Sequence, residues 1–334
     1  MMTFVSIVVP VYHNEGSLSL LLERLSQVAA GETDCAFEFV FVDDGSRDGS
    51  FRVLTELAAR DDRVIVIKLS RNFGSNIALA AGLEHARGDC VGMIAADLQD
   101  PPELFTEMLA RWRNGKSVVM AARKKRADPF FTRLPAAIFN RAFRKFVFND
   151  FPPDGYDFVL IDRKVVDVVV TCAEKNSYLF GLIMWAGFDR DVIFYDRVER
   201  AHGVSMWTLS KKMKYFIDAF TSFSYLPLRL TSSMGILLAF VGLVYGVIVV
   251  LSRVIGNVPV EGWTSIMIVL LIASGTQLII LGMIGEYIWR ALEQTRSRPL
   301  FIVDRVITKR VQSQTLNTIG ISGDTVPYTQ TVYK

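Results

Sequence analysis

Cysteine is scarce: Cys35, Cys90 and Cys172 are the only three, an odd number without a Cys-x-x-Cys pair. That excludes a disulfide framework and a cysteine-built zinc site, and it fits a reducing compartment. Charge of one sign is equally scarce. A net charge of +3 is too small for a nucleic-acid footprint, which needs lysine and arginine concentrated on one face, so no nucleic acid is expected as a partner. The small basic clusters at 124–126, 141–145 and 211–214 are interleaved with aromatic and aliphatic residues, a mixture suited to a membrane surface. The apolar run Phe4–Val11 lacks a basic flank and a small-residue cleavage site. It therefore does not read as a signal peptide, and the first half is expected to stay in the cytoplasm.

What is present is apolar and divided. Hydrophobic residues make up 51% of the chain, and their longest runs lie in the second half. In the first half, short apolar runs alternate with helical patterns: Val5–Tyr12, Phe37–Asp43, Val64–Leu69, Cys90–Ala96 and Ser117–Ala122. Strands that are apolar almost throughout are covered on both faces, which predicts an α/β fold with a mainly parallel central sheet. The helix after Gln99 has the clearest start signal, with Asp100 as cap, Pro101 at the first helical position and Glu103 two residues later.

Two stretches carry no charge, Thr231–Ser252 between Arg229 and Arg253, and Gly262–Gly285 between Glu261 and Glu286. Each reaches the roughly 20 apolar residues of a membrane span. Lysines and arginines crowd before the first and after the second, whereas the loop between them holds only Arg253 and Glu261. The positive-inside rule then predicts a multi-pass membrane protein with both ends in the cytoplasm. The resulting plan is a catalytic domain over 1–205, a juxtamembrane amphipathic segment over 206–230, two spans within 231–289 and a cytoplasmic tail over 290–334. Phe130–Phe148 and Trp207–Tyr225 mix aromatics with arginine and lysine on helical spacing, and read either as interfacial helices or as ordinary core helices. The tail after Asp304 reads as a short β segment or an irregular arm.

In open α/β sheets, ligands sit outside the carboxyl ends of the strands. The first expected strand runs into Pro10-Val11-Tyr12-His13-Asn14-Glu15 and the second into Asp43-Asp44-Gly45-Ser46, acidic ends without a glycine-rich phosphate loop. Such a carboxylate can accept from a base N–H or a ribose hydroxyl, although Asp-Asp-Gly-Ser is also the composition of a simple turn. The fourth ends in Ala95-Ala96-Asp97-Leu98-Gln99-Asp100. If the strand persists, Asp97 and Gln99 alternate to one face, and two oxygens there suit Mg²⁺ or Mn²⁺, with substrate phosphates completing the shell.

Together these segments resemble the family 2 glycosyltransferases of GT-A fold. The resemblance implies nucleotide binding by Pro10, Tyr12, Glu15, Asp43, Asp44 and Arg71, with Asp97 and Gln99 at the metal and diphosphate positions. Asp157-Phe158-Val159-Leu160-Ile161-Asp162-Arg163, Trp185-Ala186-Gly187-Phe188, the set Arg197, Arg200, Gly203 and Ser205, and Ser224–Leu230 followed by two spans and Arg298-Pro299 are similar to the polyprenyl-phosphate branch. Bactoprenol glucosyltransferases and dolichyl-phosphate mannose synthases belong to that branch. It implies a nucleotide-sugar donor, UDP-glucose before GDP-mannose, and undecaprenyl phosphate as acceptor, for modification of a cell-surface glycan. A homo-oligomer is a further family-level implication.

A lipid phosphate is already anionic at neutral pH and needs no strong general base, so the expected work is positioning and electrostatic. By resemblance Arg123 meets the acceptor phosphate, with Arg133 and Arg197 as further candidates. Arg200 closes the site from the other side, and Asp157 orients acceptor or sugar. In-line displacement by the phosphate oxygen implies inversion at the anomeric carbon. Two family features are missing: the first carboxylate of Asp-x-Asp, replaced by Ala95, and the lysine of a Gly-x-Ser-Lys segment, replaced by Met206. The Gln-x-x-Arg-Trp motif of processive synthases is also absent, which favours single addition. Ala95 leaves open a catalytically silent membrane scaffold that binds nucleotide.

Overall fold

The computed structural model describes residues 2–124, 141, 144, 148, 152, 155–172, 178–196, 223–224, 226–255, 262–296 and 298–309. The chain divides into two compact units, Met1–Ala219 with Pro299–Lys334, and Phe220–Arg298. The first unit holds β1 (Thr3–Val11), α1 (Leu18–Gly31), β2 (Cys35–Asp43), α2 (Ser50–Arg60), β3 (Val64–Leu69), α3 (Ser75–His85), β4 (Cys90–Met93), α4 (Leu104–Arg113) and β5 (Val118–Arg123). It continues with β6 (Tyr156–Asp162), α5 (Arg163–Thr171), α6 (Leu179–Trp185) and β7 (Arg190–Tyr195), and is completed by β8 (Val303–Ile307).

Eight strands form one sheet in the order β7-β5-β6-β4-β1-β2-β3-β8. It is mainly parallel, as the apolar runs predict; β6 and β8 are antiparallel to their neighbours. The carboxyl ends of β1 to β5 and β7 therefore share one edge with the amino ends of β6 and β8. Layers of Phe39, Phe41, Phe105 and Phe158 fill the interior beside Leu18, Leu21, Leu25 and Leu54, all fully buried. Gly92 is dictated by this packing, because a Cβ there would lie 2.2 Å from the Phe105 ring.

The opposite edge is closed by ion pairs. Glu38, buried on β2, accepts from Ser6 Oγ at 2.6 Å, from the Arg87 amide at 2.7 Å and from the Arg87 guanidinium at 2.9 Å. Ser6 Oγ accepts in turn from the Gly88 amide at 2.7 Å. A buried carboxylate is tolerated when its lone pairs are filled in this way.

Two expectations change. β4 stops at Met93 rather than Ala96, and α4 begins at Leu104 rather than at Pro101, because the amides of Leu104, Phe105 and Thr106 first donate to the carbonyls of Pro101, Pro102 and Glu103 in short i→i+3 turns. Asp100 is consequently not the helix cap. β6, β7 and β8 were not expected as strands from alternation alone; the tail resolves in favour of the β segment, since Val303–Ile307 pairs with β3.

The second unit consists of α7 (Leu226–Ile255) and α8 (Trp263–Thr295). Both are long and apolar enough to cross a bilayer, with many exposed leucine, isoleucine and valine side chains. At about 1.5 Å per residue α8 exceeds the roughly 30 Å hydrocarbon core. Its last turns carry an Arg290–Glu286 ion pair at 2.9 Å. The proposed interfacial stretches 130–148 and 207–225 lie almost wholly outside the described residues.

Candidate active site

The strand ends bring together most of the residues singled out in the first half. Beyond β1, Tyr12 and His13 stack at 4.2 Å with an interplanar angle of 15°, and His13 adopts a left-handed φ of 57°. Its imidazole Nε2 accepts from the Arg47 amide at 3.2 Å, and its own amide donates to Ser46 Oγ at 3.2 Å. Glu15 accepts from the Gly49 amide and from the Arg52 guanidinium, each at 3.0 Å. The β1–α1 and β2–α2 loops are thus knitted together by side chains of the first reaching amides of the second. His13 is one of the knots. Pro10 sits one residue before the end of β1, in register with Val42.

Asp43 and Asp44 have different tasks. Asp43 ends β2 fully buried; its Oδ1 accepts from the Ser46 amide at 3.3 Å, while Oδ2 has no partner among the described residues. Burial pushes its carboxyl above the usual range, partly offset by hydrogen bonds from Ser46 and the charge of Lys68. A buried carboxylate oxygen without a partner is costly unless something else supplies a hydrogen bond. Asp44 is also buried, but both of its oxygens are engaged, by the amides of Phe73 at 2.7 Å and Gly74 at 2.9 Å. It holds the segment in which Arg71 stacks on Phe73 at 3.9 Å. Directly after Asp44, Gly45, at φ 67°, lies so close to Arg71 that a Cβ would come within 2.6 Å of its carbonyl carbon. Only glycine combines that φ with that approach.

Burial pushes the Asp44 carboxyl up to about 6, against the two amides, which pull it down, and with Asp43 adding repulsion. An unfolded aspartate titrates near about 3.9. Between these values the folded chain binds the proton more tightly than the unfolded chain, so this group's contribution to stability falls as pH rises from about 4 to about 6. Asp44→Asn is expected to remove that dependence. The difference in thermal midpoint between wild type and variant should drift over this window and stay constant above about pH 7; a constant difference throughout would mean that Asp44 titrates normally.

The loop after β4 departs from the expected strand. Asp97 and Gln99 lie in a turn in which the Gln99 amide donates to Asp97 Oδ1 at 3.3 Å, and the intervening Leu98 has a φ of 59°. Both flanking side chains are half-buried. Strand alternation therefore does not extend to Asp97 and Gln99, since a left-handed residue interrupts it. The donor set remains one carboxylate and one amide oxygen, hard ligands that fit Mg²⁺ or Mn²⁺ alongside phosphate oxygens. Another acidic group, Glu32, Asp34 and Cys35, offers ligand atoms within 4.8 Å of one another, but on the opposite edge. The Arg113 guanidinium already fills it, at 3.2, 3.0 and 2.9 Å.

Asp100 is buried and accepts from the hydroxyl of Tyr195, which the sequence reading missed. Tyr195 ends β7 directly opposite Arg123, the last residue of β5. Asp157 stands at a bulge near the start of β6, where Ala121 pairs with Phe158 and Ala122 with Tyr156. Bulges of this kind are frequent beside active sites. Arg133, Arg197 and Arg200 lie outside the described residues.

A sheet whose carboxyl edge gathers a buried acidic pair after β2 and an oxygen-only pair after β4 is the architecture of GT-A-type sugar transferases. Residues 6–170 match Glycosyl transferase family 2. The chain belongs to this family and is a glycosyltransferase. It is 42% identical over 301 residues to the uncharacterized glycosyltransferase YkcC of Bacillus subtilis, spanning 90% of this chain and 93% of that protein. It is 33% identical over 300 residues to the bactoprenol glucosyl transferase of Shigella phage SfX, spanning 90% and 98%. Among solved structures, mannosyl-3-phosphoglycerate synthase from Rubrobacter xylanophilus overlays with a TM-score of 0.46 at 17% identity, covering 65% of this chain and 71% of that one.

Proposed function

We propose that the protein transfers a hexose, glucose from UDP-glucose, to the phosphate of undecaprenyl phosphate, for modification of a cell-surface glycan. One observation carries the acceptor half of this reading: the likeness to the bactoprenol glucosyl transferase extends over 90% of the chain, far beyond residues 6–170. The donor half is supported by Asp43, whose unpartnered buried oxygen suits a base N–H. Tyr12, Glu15, Pro10 and Arg71 form the surrounding wall, and Asp44 holds Arg71-Asn72-Phe73-Gly74 against it.

A phosphate oxygen of the lipid attacks the anomeric carbon while the bond to the diphosphate oxygen breaks, releasing the nucleoside diphosphate with inversion. No proton need be removed from the nucleophile. Asp97 and Gln99 would hold Mg²⁺ or Mn²⁺, which supplies charge compensation for the leaving diphosphate. Arg123, with Arg133, Arg197 and Arg200 as further cations, offsets repulsion between the two anionic reactants. Asp157 orients the acceptor or the sugar.

The polyprenyl tail stays in the bilayer, so α7 and α8 serve as the anchor at the inner membrane. β8 follows both helices in sequence yet belongs to the same sheet as β1 to β7, which supports an even number of crossings between them. The positive-inside bias supports a cytoplasmic location for both ends of the chain.

The decisive assay incubates the full chain in membranes with undecaprenyl phosphate, Mg²⁺ and radiolabelled UDP-glucose, GDP-mannose or UDP-N-acetylhexosamines. Lipid-linked glucose with inverted configuration is expected. Preference for another donor reassigns the sugar, retained configuration removes the displacement scheme, and absence of lipid product with every donor overturns the reading. In the same assay His13→Ala is expected to raise the donor KM about fivefold to tenfold with kcat within about twofold, since it removes the acceptor for the Arg47 amide and strains a left-handed position. His13→Asn, which tolerates that φ, is expected to recover most of the loss; an unchanged KM for His13→Ala would show that the stack does not shape the donor site.

A further inference from the structure

Tyr195 is buried at the end of the edge strand β7, its ring packed edge-to-face on Phe158 at 6.4 Å. Its hydroxyl donates to Asp100 Oδ1, in the loop that carries Asp97 and Gln99. The Arg123 guanidinium lies beside the same phenol, and its positive charge favours the phenolate. The backbones are locked beside it, with Arg123 in register with Tyr195 and the Lys124 amide donating to the Tyr195 carbonyl at 2.9 Å. One phenol therefore bridges an anion on the loop after β4 and a cation at the end of β5, elements that share no backbone pairing because β6 lies between them.

We propose that Tyr195 is a positioning residue that fixes the Asp97–Gln99 loop to Arg123, so that the groups facing the leaving diphosphate and the acceptor phosphate keep one separation through the transfer. This rests on the function proposed above. The loop needs such a fastener: it contains a left-handed leucine, a conformation sustained only when its surroundings hold it. At the beginning of the turn Ser17 Oγ donates to the Ala96 carbonyl at 2.6 Å, and Tyr195 holds its end through Asp100. Reacting groups displaced by about 1 Å lose rate steeply, while substrate affinity, set by the β1 and β2 loops, is untouched.

The test uses the full chain in detergent or membranes. Tyr195→Phe keeps the ring and removes the hydroxyl. It is expected to lower kcat about tenfold to a hundredfold with the donor KM within about twofold. Amide hydrogen exchange should rise across residues 95–100 and not in α4. Asp100→Asn, whose amide oxygen still accepts from the phenol, should stay within about threefold of wild type, whereas Asp100→Ala should match Tyr195→Phe. A Tyr195→Phe enzyme with wild-type kcat and unchanged loop exchange overturns the proposal. So does an Asp100→Asn enzyme as slow as Asp100→Ala, the deciding pair if Tyr195→Phe does not fold. Should the wild type transfer no sugar, the functional reading fails alone, and the exchange measurement still decides the role of Tyr195.

Discussion

Replacing Asp97 with alanine is expected to lower sugar transfer by about a thousandfold or more, the scale at which loss of a group compensating transition-state charge is felt. The reason lies in what else the loop offers. Ala95 occupies the position of the other family carboxylate, and Gln99 supplies a neutral oxygen only. Asp100 is buried, with its Oδ1 taken by the Tyr195 hydroxyl. On the function proposed above, Asp97 is the half-buried carboxylate of this segment that meets the cation, with the donor phosphates as its main partners. Asp97→Asn, which keeps an oxygen but not the charge, should fall between wild type and alanine and respond to raised Mn²⁺, whereas Asp97→Ala should not respond. Donor binding measured without metal should survive in both, because Asp43 and the loops around it are intact. An Asp97→Ala enzyme with full activity removes the metal assignment.

The central sheet was legible because β1, β2, β3 and β5 are buried on both faces and therefore read as unbroken apolar runs. β6 and β7 were not. β7 is an edge strand that begins with Arg190 and Asp191, each half-buried, and its alternation is too short to separate from a loop. β8 is separated from its partner β3 by more than half the chain, a pairing that no local pattern encodes. The site was legible by residue type more than by geometry. Acidic strand ends marked Asp43 and Asp44 equally, yet their environments diverge because Asp44 meets the Phe73 and Gly74 amides, about 30 residues away. Asp100 had the local signature of a helix cap and is instead taken by a tyrosine 95 residues later. A tyrosine closing a short amphipathic strand was the only signal for Tyr195.

Arg123 brings the second large effect. Arg123→Gln is expected to reduce kcat/KM for the lipid phosphate by about a hundredfold to a thousandfold while leaving the donor KM near its wild-type value. An exposed arginine in a surface pair contributes at most about 1 kcal/mol, and its loss would pass unnoticed. Arg123 differs in being half-buried at the carboxyl edge, opposite Tyr195, where charge is screened less by water. The next cation along the chain cannot replace it, since Lys124 is exposed and paired with Asp196 at 3.8 Å. Arg123→Lys keeps the charge but loses the two-pronged geometry that matches a phosphate, so it should recover only part of the loss. Steady-state kinetics with each substrate varied in turn separates the possibilities. A rise confined to the donor KM would move Arg123 to the nucleotide side, and unchanged kinetics would shift the acceptor phosphate to Arg133, Arg197 and Arg200.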